Sequence, residues 1–221
     1  MKFGSSREVD FASLWQRAFL PPLHPGGWRI IPIFVVATLI LFWIWTPLGW
    51  IGVAATLWCA TLFREPKRIA PMRSVTAVSP IDGLVAEVGS APPPADLALG
   101  IEDLPCVSIL LGPWDSHAVR APADGRLAKQ TVMHDGRRGE RIAVRIECDS
   151  HAVGLVLIAD GMGRRISTDL DSGAPLKPGD RFGLILFAGR AELYLPAGTI
   201  AAVAVGQRMV AGETILAELQ G

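Results

Sequence analysis

Pro80-Ile81-Asp82-Gly83-Leu84-Val85 has an echo further along the chain, Pro122-Ala123-Asp124-Gly125-Arg126-Leu127. In each copy the Asp can hydrogen-bond its own backbone and the Gly tolerates a positive φ, so both read as tight turns that open a strand. A second related pair comes later: Pro178-Gly179-Asp180 ahead of Phe182, and Ala211-Gly212-Glu213 ahead of Ile215. Around these turns run short β-branched segments: Val75 to Val78, Leu84 to Val88, Cys106 to Leu111, Ile142 to Glu147, Val153 to Ile158, Phe182 to Phe187, Leu193 to Leu195 and Ile200 to Val205. Short strands punctuated by Gly and Pro at this spacing predict a mainly β domain, a sandwich or barrel. Ser90 to Pro105, which contains Pro92-Pro93-Pro94, reads as a surface excursion.

The same turn-strand grammar resembles that of biotinyl and lipoyl carrier folds, so a membrane-tethered interaction module of that kind is one functional alternative. A carrier needs a lysine at an exposed hairpin tip. The lysines are Lys2, Lys67, Lys129 and Lys177, and none has the Met-Lys-Met or Asp-Lys context of that role.

Half of the 221 residues are hydrophobic, 19% are charged and the mean hydropathy is +0.37. That is too apolar for a disordered chain and high for a wholly soluble one. Twenty-one Lys and Arg balance 21 Asp and Glu, which leaves no excess positive field to hold a nucleic acid. Cys59, Cys106 and Cys148 are odd in number and far apart. They exclude a closed disulfide framework and read as ordinary buried thiols.

The apolar excess is concentrated between Ile30 and Phe63, 34 residues without Asp, Glu, Lys, Arg or His. One straight helix of that length would measure about 50 Å, against a hydrocarbon core of about 30 Å. Thr46-Pro47-Leu48-Gly49 near its middle therefore predicts a turn between two transmembrane helices. Arg7, Arg17 and Arg29 precede the run and Arg64, Lys67, Arg68 and Arg73 follow it, which keeps both flanks in the cytoplasm. In the segment ahead of the run, Phe11, Leu14, Trp15, Ala18 and Phe19 form one apolar helical face, with Asp10 as N-cap and Pro21-Pro22 as the stop. The expected layout is an amphipathic segment 1–29, a transmembrane helical hairpin 30–63 and a β domain 64–221 on the cytoplasmic side of the cytoplasmic membrane.

Five pieces occur in one order behind the hairpin: Phe63-Arg64-Glu65-Pro66-Lys67-Arg68, Val78-Ser79-Pro80-Ile81-Asp82-Gly83, Trp114-Asp115-Ser116-His117-Ala118-Val119-Arg120-Ala121-Pro122, Phe182-Gly183-Leu184-Ile185, and Phe187-Ala188-Gly189-Arg190-Ala191-Glu192-Leu193-Tyr194-Leu195-Pro196. In this the chain resembles the short, membrane-anchored type of phosphatidylserine decarboxylase, from about Pro22 to Ala217. The resemblance implies that family's β fold and its chemistry. Members cut their own backbone at a Gly-Ser bond within Phe-Gly-Ser-Arg and convert the Ser to a pyruvoyl group. The pyruvoyl ketone forms a Schiff base with the serine head group and serves as electron sink while carbon dioxide leaves. Phosphatidylethanolamine is the product. The family's assisting Asp and His fall on Asp82 and His117, which the resemblance makes the catalytic pair.

The serine has no counterpart. Ala188-Gly189 stands where the family has Gly-Ser, and no Ser, Thr or Cys lies between Ser172 and Thr199. Self-cleavage begins when a side-chain oxygen attacks the preceding carbonyl, and glycine has no side chain. The stretch between Met133 and Glu140 also departs from the family's longer loop. The expectation is a non-catalytic homologue in phosphatidylethanolamine metabolism that forms no pyruvoyl cofactor and binds aminophospholipid at the membrane or partners an active paralogue. An active decarboxylase using a non-standard route is the other alternative.

Blander readings exist for each residue. Asp82 can be a purely structural turn Asp, like Asp124. His117, beside Asp115 and Arg120, occupies a poor place for a core histidine and is expected to line a pocket. His134, Asp135 and His151 match no standard metal spacing, so no metal is expected. Arg137-Arg138 and Arg164-Arg165 read as solvated faces, and Cys106 and Cys148 as buried fillers.

Overall fold

The computed structural model describes residues 27–62, 68, 76–112, 114–135, 139–160, 166–168, 172–185 and 189–219. The amphipathic face at 11–19, Arg137-Arg138, Arg164-Arg165 and Ala188 lie outside them. The chain divides into two compact units, Met1–Lys67 and Arg68–Gly221.

In the first unit the apolar run folds as two helices, α1 (Gly27–Ile44) and α2 (Thr46–Leu62), with the break at Trp45. Thr46-Pro47, expected in the turn, instead opens α2, where a proline costs no hydrogen bond because first-turn N–H groups have no partner within the helix. Small residues let the helices approach: a Cβ added at Gly52 would lie 2.9 Å from Thr38 Oγ1, and one at Gly49 would run into the Phe42 ring. The Thr38 and Thr56 hydroxyls meet at 2.9 Å, and Phe42 packs edge-on against Trp50 with centroids 5.8 Å apart. Ile33, Val36, Leu39, Trp43, Ile51 and Leu57 remain exposed.

Among the described residues no helix is long and apolar enough to cross a membrane, and the expected transmembrane crossing is without support from the structure. The break leaves α1 18 residues, of which Gly27, Trp28 and Arg29 precede the uncharged run, and α2 17 residues, about 26 Å each at about 1.5 Å per residue.

The second unit contains β1 (Thr76–Val78), β2 (Gly83–Ala91), β3 (Leu104–Leu111), β4 (Ala118–Arg120), β5 (Gly125–Asp135), β6 (Gly139–Glu147), β7 (Ala152–Asp160), β8 (Ile166–Thr168), β9 (Pro175–Leu176), β10 (Arg181–Ile185), β11 (Gly189–Tyr194), β12 (Arg208–Met209) and β13 (Ile215–Glu218). Eight form one antiparallel sheet in the order β12-β2-β3-β11-β7-β6-β5-β9, curled as a half-barrel. β4-β10-β8 and β1-β13 make two smaller sheets. Alternation sorts the faces: Val107, Ile109 and Leu111 of β3 enter the core while Leu110 faces out. Ile81, Val85, Leu127, Ile146, Leu155, Phe182, Ile185 and Leu193 complete the inner layer.

The two Pro-x-Asp-Gly turns grip one another. Val78 N donates to Pro122 O at 2.7 Å, and Arg120 N donates to Pro80 O at 2.8 Å. The later turns repeat the relation: Gly179 N donates to Ala121 O and Gly212 N to Ser79 O. Both turn glycines are required by space. A Cβ at Gly83 would lie 2.0 Å from Leu110 O, and one at Gly125 would lie 2.3 Å from Glu147 O.

Two expectations need correction. Ile200 to Val205 is not a strand: Ile200 and Val205 are exposed, and the segment makes a single bridge, Ala201 with Ala217. It crosses from β11 to β12 without a neighbour to pair along its length. The excursion after β2 is more than surface, because Leu97 in the 3-10 turn Ala95–Leu97 is fully buried against Ala143, Val156 and Tyr194. It covers part of the sheet's outer face.

Candidate functional site

Asp82 closes the first Pro-x-Asp-Gly turn and is 8% exposed. Its Oδ1 accepts a hydrogen bond from Ala211 N at 2.6 Å, and its Oδ2 pairs with Arg68 Nη2 at 2.9 Å. Asp124, its echo, is exposed. The related turn explains the difference: Pro178 aligns with Ala211, and proline has no N–H to offer. Asp82 is therefore not interchangeable with the plain turn Asp.

His117 lies between β3 and β4 and is 2% exposed. Its Nδ1 is 2.7 Å from Asp115 O. A carbonyl can only accept, so Nδ1 carries the proton and Nε2 presents its lone pair. Among the described residues Nε2 is buried without a hydrogen-bond partner. Burial holds the imidazole pKa below 6.5, opposed by the bond to Asp115 O and by the charges of Asp115 and Asp82. The ring is neutral at neutral pH, with an Nε2 lone pair that no described residue engages, the form in which an imidazole can accept a proton.

Asp115 shapes this loop. Its Oδ2 accepts from Gly112 N at 2.9 Å, and its Oδ1 pairs with Arg208 Nη2 of β12. Arg120 N, bonded to Pro80 O, ties the His117 segment to the Asp82 turn. No hydrogen bond joins Asp82 to His117 among the described residues; they share a neighbourhood and an electrostatic interaction. Arg68 and Arg208, which hold the two carboxylates, were not singled out from the sequence as partners, and their distance along the chain gave no signal.

Gly189 opens β11, opposite Leu111 of β3 and beside β7. A Cβ there would lie 2.6 Å from Ile158 O and 2.8 Å from Ile185 Cγ2. Ile185 N in turn donates to His117 O at 2.9 Å, so a single residue, Ile185, connects the Ala188-Gly189 junction to the histidine. Ser172 is exposed in a turn and Thr199 is buried past the end of β11.

The family model described as phosphatidylserine decarboxylase matches residues 55–217. The chain belongs to the phosphatidylserine decarboxylase family. Three relatives, each named phosphatidylserine decarboxylase proenzyme, extend the match. The protein of Beijerinckia indica is 42% identical over 210 residues, 90% of each chain. That of Cereibacter sphaeroides is 41% identical over 212 residues, 91% of each. That of Nitrobacter winogradskyi is 39% identical over 216 residues, 92% of this chain and 87% of the relative. No solved structure matches. Family membership places the chain in phospholipid metabolism, in a family whose decarboxylases depend on a pyruvoyl group.

Proposed function

We propose that this chain is a family member that does not process itself, and that it binds aminophospholipid at the cytoplasmic membrane without decarboxylating it. The observation that carries this reading is the junction. Ala188-Gly189 offers neither hydroxyl nor thiol, and the space beside Gly189 is taken by Ile158 O and Ile185. These residues do not fit the precursor of a pyruvoyl group. The rest of the site supports retained binding: Asp82 is buried and bonded, and among the described residues His117 Nε2 has no hydrogen-bond partner.

Both helices of the hairpin expose apolar side chains such as Ile33, Leu39, Trp43 and Ile51, and such a surface favours lipid over water. Arginines on both flanks keep the β domain at the cytoplasmic face. An active family copy in the same cell is the natural protein partner.

Intact mass of the purified chain, measured beside carbon dioxide release from phosphatidylserine, tests the proposal. The expected result is one uncleaved chain of 23.7 kDa with no release. Two fragments, or release blocked by hydroxylamine or borohydride, would establish an active enzyme with another electrophile.

A further inference from the structure

The outer face of the large sheet holds a second polar cluster that neither the junction nor His117 uses. Register places Glu87 of β2 and Glu192 of β11 on either side of Ser108 of β3. The next row along the same face is Gly89, Cys106 and Tyr194. Together the two rows line an open cavity of about 100 Å³, several times what one water needs. Gly89 keeps it open: a Cβ there would find nothing within 4 Å.

The charges in this cavity do not cancel. Arg190 Nη2 lies 3.3 Å from Glu192 Oε1, and Tyr194 OH donates to Glu192 Oε2 at 3.3 Å. One guanidinium against two carboxylates leaves one negative charge. Tyr194 and Cys106 add none, since burial and neighbouring acids raise the phenol and push the thiol up to about 12. Ser108 is 7% exposed, and its Oγ has no hydrogen-bond partner among the described residues. A buried hydroxyl left unpaired is costly. This one lines the cavity between the two acids.

We propose that this cavity binds a small primary ammonium group. An ammonium carries one positive charge and three N–H donors, which matches Glu87, Ser108 Oγ and Glu192. A divalent ion suits the cavity less, because Glu192 is already engaged by Arg190 and Tyr194 and the second row offers a thiol, a protonated phenol and a glycine where a hard cation takes carboxylate and carbonyl oxygens. An amine bearing its own carboxylate is repelled by the same acids, so the site takes an ethanolamine-like cation and rejects a serine-like zwitterion. The amine can be free or the head group of a lipid.

The test is calorimetric titration of the full-length chain with ethanolamine, serine and ethylene glycol. Ethanolamine is expected to bind saturably, and the other two at least tenfold more weakly. Glu87→Gln and Ser108→Ala should each weaken ethanolamine about tenfold, the value of one charge-assisted hydrogen bond. Should Ser108→Ala fail to fold, Glu87→Gln, at an exposed residue, carries the comparison. No saturable binding by the folded chain, equal binding of serine, or variants that bind like the parent would overturn the proposal. Flotation then separates the sources: phosphatidylethanolamine vesicles that retain the parent chain better than Glu87→Gln indicate a lipid head group, and equal retention indicates a free amine.

Discussion

Replacing Gly189 by Ser restores the hydroxyl that the family uses, and the structure says what it costs. The new Cβ would sit 2.6 Å from Ile158 O and 2.8 Å from Ile185 Cγ2, well inside the 3.4 Å at which ordinary contact begins. One neighbour is a backbone carbonyl in the centre of a sheet, so relief needs β7 and β11 to separate. Overpacking of this kind costs ~2 kcal/mol. For a domain of this size ~2 kcal/mol corresponds to a drop in Tm of about 4–8 °C. Gly189→Ala carries the same Cβ without the oxygen and should lose the same amount. Differential scanning calorimetry of the three proteins, with intact mass of each, reads both effects, and all three are expected to stay uncleaved. If Gly189→Ser melts with the parent, or well above Gly189→Ala, then the strand accommodates the side chain or the hydroxyl finds a partner, and the steric reasoning is wrong.

Three further outcomes follow from the site. Asp82→Asn should destabilise the chain by about 1–3 kcal/mol by weakening the acceptor of Ala211 N and the partner of Arg68, whereas Asp124→Asn should stay within about 0.5 kcal/mol; urea unfolding monitored by tryptophan fluorescence compares them. His117 has a folded pKa below its unfolded 6.5, so the unfolded chain binds its proton first and stability falls as pH drops from 6.5 toward the lower folded value. His117→Gln should therefore lose less Tm than the parent between pH 7 and pH 5, and parallel curves would show that the buried ring does not contribute this way. Cys106 and Cys148, held at about 12 and about 11 by burial, should react with iodoacetamide at pH 8 only after unfolding, as followed by mass.

The two Pro-x-Asp-Gly turns were legible because turn chemistry is local: the residues that make each turn are adjacent in sequence. Their mutual grip, Val78 to Pro122 and Arg120 to Pro80, was not, since nothing local states that two similar turns bond to each other. The turn at Gly125 announced β5, but its extent was not legible because Arg126, Lys129 and Gln130 break its apolar run, although Leu127 alternates into the core. Ile200 to Val205 had the composition of a strand but pairs with β13 only at the bridge of Ala201 with Ala217. Its neighbours decided its state. At the site, Asp82 and His117 were found through the family resemblance. Arg68, Asp115 and Arg208 act through contacts of high sequence separation or through backbone atoms that side-chain identity does not reveal. The two-helix division of the uncharged run followed from its length, and the break falls one residue ahead of the expected turn, at Trp45.

The stretch that begins at Gly189 is woven through the rest of the β unit: β11 runs between β3 and β7, β12 borders β2, and β13 pairs with β1. A backbone severed just ahead of Gly189 would therefore shed nothing. The tail would remain stitched in place by ladders on both sides, and the two pieces would travel, melt and sediment together as one body.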